Sequence, residues 1–143
     1  MTDAEFDQWL TASGFSGPDD ILPHAITPLM HAARHGRAEV VAALLARGGN
    51  PSTLNADGNG ALWYACYADC GTCVDLLVRA GVDLDTRNVN GATALIYAAS
   101  AGKAERVRQL LAAGADASIR TLDDYSALDS CATRECLKLL RAA

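Results

Sequence analysis

The chain has 143 residues, half of them hydrophobic and a fifth charged, which suits one folded domain with a continuous core and excludes a disordered polymer. Its 12 basic and 17 acidic residues give a formal net charge of −5, with Lys and Arg scattered among Asp and Glu. That is not the dense basic face needed to neutralise phosphates, so nucleic acid is excluded as the main partner.

The N-terminus, Met1-Thr2-Asp3-Ala4-Glu5, is acidic where a secretory leader would be basic, and no apolar run approaches the roughly 18 residues of a membrane helix. A soluble cytoplasmic protein without a membrane role is therefore expected. The odd number of cysteines, Cys66, Cys70, Cys73, Cys131 and Cys136, disfavours a disulfide framework and predicts reduced thiols.

In chain order, the first predicted element is a helix within residues 3 to 14, with Phe6 and Leu10 one turn apart on one face, acidic residues leading in and Gly14 closing it. Asp3, Glu5, Asp7 and Gln8 are expected to face water, and Ser16-Gly17-Pro18-Asp19-Asp20 reads as a turn. Thr27-Pro28-Leu29 then opens a second helix. The threonine side chain relieves unpaired amides, and proline has no N–H to lose at the first helical position. Gly36 ends that helix. Val40, Val41, Leu44 and Leu45 make the apolar stripe of the next one, which Gly48 closes. Asn55-Ala56-Asp57-Gly58 is turn chemistry and reads as a projecting hairpin finger.

The same pattern then recurs. Thr27-Pro28-Leu29, Gly60-Ala61-Leu62, Thr93-Ala94-Leu95 and Ser126-Ala127-Leu128 begin 33 residues apart, so a helix is expected to start at each. The small pairs Ala32-Ala33, Ala65-Cys66, Ala98-Ala99 and Cys131-Ala132 keep the register and let neighbouring helices approach closely. Asp69 and Glu135 fall where glycine ends the first helix in the other repeats, which predicts distorted turns in the second and fourth. The fourth is also shortened, because Cys136-Leu137-Lys138-Leu139-Leu140 aligns with Val40 to Leu44 only after three residues are deleted.

Thr27-Pro28-Leu29-Met30-His31-Ala32-Ala33, and Gly114-Ala115-Asp116-Ala117-Ser118 after Leu110-Leu111, resemble the ankyrin repeat in its small, free-standing, bacterial-type form. The resemblance runs from about residue 22 to the C-terminus. It implies an all-α solenoid of stacked helix-turn-helix units with hairpin-like finger loops, forming a single domain over 1–143. The N-terminal capping helix and turn would occupy 1–21, the full repeats 22–54, 55–87 and 88–120, and the shortened capping repeat 121–143. Polar end units would keep such a stack soluble. The family's usual histidine after the capping leucine is replaced by Met30, Trp63, Ile96 and Asp129, so packing is expected to take over from a polar tie, and Trp63 to enter the core.

Two groups of residues invite a chemical reading. Cys66, Cys70 and Cys73 have the C-x3-C-x2-C spacing that holds iron–sulfur clusters in radical enzymes, yet Cys66 replaces Ala33 and Cys73 replaces Val40, as small apolar fillers would. Cys70, in the turn, is the one expected to be accessible. His31 and His35 have metal-binding i, i+4 spacing, but no glutamate follows the first and no third ligand is near, so two surface histidines are expected. All three histidines fall within residues 24 to 35, and no phosphate-binding loop follows a strand. No enzyme activity, metal or cofactor is therefore expected.

The resemblance implies a protein partner held along a concave surface of finger tips and first-helix ends. The favoured contacts are Arg34, His35, Asp57, Asn59, Tyr64, Tyr67, Asn90, Tyr97 and Tyr125, because rigid tyrosines bury large areas at little entropic cost. The expected function is that of a monomeric adaptor or inhibitor. A narrower alternative is an immunity-type protein that neutralises a toxin or enzyme, and one of another class is a thiol-based redox or metal sensor using Cys66, Cys70 and Cys73.

Overall fold

Side-chain oxygens or sulfurs accept the third helical amide at most helix starts, and this local chemistry sets out an all-helical repeat fold of eight α-helices. The structure, a computed structural model, describes residues 1–143 and divides into two units, Met1–Val82 and Asp83–Ala143.

The first unit holds α1 (Asp3–Ala12), α2 (Pro28–Arg34), α3 (Ala38–Ala46), α4 (Ala61–Tyr67) and α5 (Gly71–Arg79). A reciprocal cap starts α1: the Glu5 amide donates to Thr2 Oγ1 and the Thr2 amide to Glu5 Oε1, both at 3.1 Å. Phe6 and Leu10 are buried, and Asp3, Glu5, Asp7 and Gln8 face solvent as expected. The Arg47 guanidinium sits 4.0 Å from the Phe6 ring centroid and bonds Asp3 at 2.6 Å, tying α1 to the end of α3. Within this unit α2 packs on α4 and α3 on α5. Ala32, Ala33, Ala65 and Cys66 are fully enclosed, which is what lets the first helices lie close together.

The turn between α4 and α5 corrects one expectation. Asp69 takes the left-handed conformation (φ +54°) that Gly36 takes (φ +65°) one repeat earlier. The bonds also match. Asp69 N–H to Cys66 O (3.0 Å) and Cys70 N–H to Ala65 O (2.9 Å) reproduce Gly36 to Ala33 (3.1 Å) and Arg37 to Ala32 (2.9 Å). Aspartate is among the few non-glycine residues that tolerate this region, so the turn is kept and not distorted.

The second unit holds α6 (Ala94–Ser100), α7 (Ala104–Ala113) and α8 (Arg134–Arg141), with α6 packed on α7 and α7 on α8. The helix expected from Ser126 does not form. Residues 126 to 132 make a single turn, in which Ser130 N–H donates to Ser126 O at 3.1 Å. The Ala132 amide then turns away to the Ala99 carbonyl at 3.0 Å. Thr133 caps α8, so Glu135 lies inside that helix and not at a turn. The three missing residues are thus lost before position 133, at the expense of the first helix of the fourth repeat, while Cys136 and Leu140 keep their buried places.

Candidate protein-binding surface

In the first unit the surface is built on α4 and the finger that precedes it. Trp63 and Tyr67 are four residues apart on the helix, which brings their rings together, stacked at 5.7 Å between centroids and 12° between planes. Tyr64 lies edge-on to Trp63 at 5.2 Å, and its hydroxyl accepts a hydrogen bond from Asn55 Nδ2 at 2.8 Å. Asn55 is buried and shapes the finger from within, its Oδ1 accepting from the amides of Asp57 (2.9 Å) and Asn59 (3.0 Å). Half-buried Tyr64 therefore braces the finger, while Tyr67 stands 48% exposed. Asp57 is exposed at the finger tip, and Asn59 is half-buried. Trp63 corrects an expectation. It is half-buried and stacked with Tyr67 outside the core, whereas the smaller Met30 and Ile96 at the equivalent places are buried.

Arg34 and His35 are exposed at the end of α2. His31 is not, contrary to the reading of two surface histidines. Its ring meets Phe15 edge-on at 5.7 Å, Trp9 at 5.9 Å and His35 at 4.5 Å, so α1 and the chain just after it cover it. Burial, then His35 and Arg34 beside it, push the His31 pKa down and favour the neutral ring.

In the second unit the expected contacts are Asn90, Tyr97 and Tyr125. Asn90 and Tyr125 are exposed on two successive fingers, and Tyr97 is half-buried on α6. The fingers join through the Leu122 amide, which donates to the Asn90 carbonyl at 3.0 Å. Val89 and Leu122, finger-tip positions that the resemblance also offers but that lie outside the favoured contacts, stand 60% and 73% exposed, with Tyr125 at 57% beyond them. Val89 and Leu122 take the place of Ala56 in the first finger, and exposed branched apolar residues on successive finger tips mark a contact surface.

With this geometry in view, the sequence model of ankyrin repeats, in three copies, matches residues 7–88 and again 68–143. The chain belongs to the ankyrin-repeat family. Ankyrin repeats form protein–protein interaction modules, and the class of partner is accordingly another protein. No curated protein shows significant similarity to the chain. No helix is long and apolar enough to cross a membrane.

The three cysteines of the C-x3-C-x2-C run in this ankyrin chain are not gathered into one metal-binding cluster. Cys66 is enclosed at the end of α4, Cys73 in the first turn of α5, and half-buried Cys70 sits between them as the cap of α5. No group of three or more His, Cys, Asp or Glu side chains is gathered as a metal ion would require.

Proposed function

We propose that this ankyrin chain is a non-catalytic adaptor or inhibitor that captures another folded protein through its finger and first-helix surface. Neutralising a toxin or enzyme, as an immunity protein does, is the narrower form of the same reading. The contacts proposed are Arg34, His35, Asp57, Asn59, Tyr64 and Tyr67 in the first unit, and Asn90, Tyr97 and Tyr125 in the second. A single repeat domain over 1–143, capped at 1–21 and 121–143, is part of the proposal.

One observation carries it: Tyr67 is a large ring held rigid from below by Trp63 while about half of it faces solvent. Such a side chain gains buried area on binding and loses little freedom. The family supplies the partner class, and the exposed Val89, Leu122 and Tyr125 supply a second apolar surface of the same kind.

The test begins with a partner captured on the immobilised chain from its native source and then purified. Tyr67→Ala and Tyr125→Ala, made together, are expected to weaken its affinity at least about tenfold, the scale of an interface hot spot, with the helical circular dichroism spectrum unchanged. Equal affinity for the double variant and the parent would refute the site.

A further inference from the structure

We propose that Cys70 and Cys73 form a redox-active dithiol that closes reversibly into a disulfide. Their sulfurs lie 2.8 Å apart at the start of α5. The geometry follows from helix capping. Cys70 is the residue before the helix, with extended backbone (φ −98°, ψ 95°), and its sulfur accepts the Cys73 amide at 3.3 Å. An acceptor that binds the amide of the third helical residue is necessarily close to that residue's own side chain, and here that side chain is also a thiol. Closure asks the sulfurs to shorten their 2.8 Å separation to a bond of ~2.05 Å.

The repeat does not account for the pair. Cys73 replaces Val40 as an apolar filler, but Cys70 falls at the position of Arg37 and Lys103, neither of which caps its helix with its side chain. The two thiols also differ in a way that assigns their roles. Cys70 is half-buried and reachable, whereas Cys73 is fully enclosed. Burial, and then the hydrogen bond to Cys70, push the Cys73 thiol up to about 12, so outside reagents meet Cys70 first.

The oxidant is a low-molecular-weight disulfide such as glutathione disulfide. Cys70, as thiolate, attacks one of its sulfurs, breaking that S–S bond and releasing one thiolate, which takes up the proton Cys70 gave to water. Cys73 then attacks Cys70 Sγ in the mixed disulfide; its proton passes to the second departing thiolate. Two protein thiols lose two electrons and two protons, and one small disulfide becomes two small thiols. Neither cysteine then has a proton to donate, so the Gly36 carbonyl, 3.9 Å from Cys70 Sγ, loses that donor from the preceding repeat's turn.

The full chain, equilibrated in glutathione buffers of graded oxidation, quenched with a thiol-blocking reagent and weighed by mass spectrometry, tests the inference. The parent is expected to lose two hydrogens and carry no glutathione, with peptide mapping placing the link between Cys70 and Cys73. Cys73→Val, which restores the first repeat's residue and its packing, should retain one glutathione on Cys70. Cys70→Ser should give neither product, and Cys66→Ala should behave as the parent. A lasting glutathione adduct on Cys70 of the parent, or a link to Cys66, Cys131 or Cys136, would overturn the assignment. No partner protein enters the measurement, so its failure leaves the binding proposal untouched.

Discussion

After Thr93 the chain runs on as α6, and after Ser126, one repeat later, it stops within a turn, although Thr93-Ala94-Leu95 and Ser126-Ala127-Leu128 offer the same start. Both caps form: Thr93 Oγ1 accepts the Ile96 amide and Ser126 Oγ the Asp129 amide, each at 3.2 Å. The residues beyond the caps differ. Ile96, Ala98 and Ala99 are buried on α6, whereas the equivalent Asp129, Cys131 and Ala132 are not. The Asp129 carboxylate turns back to the Ser126 amide and hydroxyl, 3.0 Å from each, and meets Arg120 at 3.3 Å. These bonds hold its pKa below the usual carboxylate range. A cap therefore decides where a helix can begin, and burial of its face decides whether it continues.

The largest effect should come from giving the third repeat the fourth repeat's residue. Ile96→Asp removes a side chain only 5% exposed and puts a carboxylate among apolar neighbours. The expected loss is about 3–5 kcal/mol, read from urea unfolding followed by circular dichroism. A loss below about 1 kcal/mol would mean that burial of this face is not what sustains α6. Next in size is Thr133→Ala, which removes the oxygen that accepts the Cys136 amide at 3.2 Å where the shortened repeat restarts as α8. About 1 kcal/mol of stability should go in the same assay, and a neutral result would show that packing alone restarts the chain.

The repeat itself is legible in the sequence because its landmarks are local: capping Thr and Ser, small residues at close approaches, and Asn-rich finger turns all act within a few residues of where they are written. The features that escape sequence reasoning depend on contacts or on an alignment choice. His31 lies under Trp9 and Phe15, which come from outside the 33-residue register. The place of Trp63 after the capping leucine points it to the core, but its ring stacks with surface Tyr67, a contact that the repeat register does not reveal. Glu135 aligns with a turn only when the deletion in the fourth repeat is set too late in the chain, and Asp129's return to Ser126, which decides the matter, is visible only in three dimensions. Of the expected contact residues, Tyr64 is occupied in holding Asn55, a bond between side chains that spacing alone does not predict.

The smallest effect concerns the fingers on which the third and fourth repeats begin. Gly91 in the first of them has φ +75°, and Asp124 at the equivalent place in the second has φ +69°. The backbone bonds agree, with Gly91 N–H donating to Asn88 O at 2.8 Å and Asp124 N–H to Thr121 O at 2.9 Å, so the same left-handed turn is made once with glycine and once without it. Asp124→Gly relieves a side chain in that region, worth about 1 kcal/mol, but glycine also frees the unfolded chain by roughly 0.4–1 kcal/mol. The Asp124 carboxylate, 3.9 Å from an exposed Arg120, adds little, and the Asp124 carbonyl keeps its bond from Arg120 at 3.0 Å in the variant. Relief of strain and gain of unfolded-chain freedom nearly cancel, leaving an expected gain of at most about 0.5 kcal/mol. The reverse exchange, Gly91→Ala, has no such balance, because its Cβ would sit 2.9 Å from the Leu122 amide nitrogen. Thermal unfolding should separate the pair, with Asp124→Gly at or slightly above the parent and Gly91→Ala clearly below it. Equal shifts in the two variants would mean that left-handed strain, and not the close approach of the next finger, sets what each position accepts.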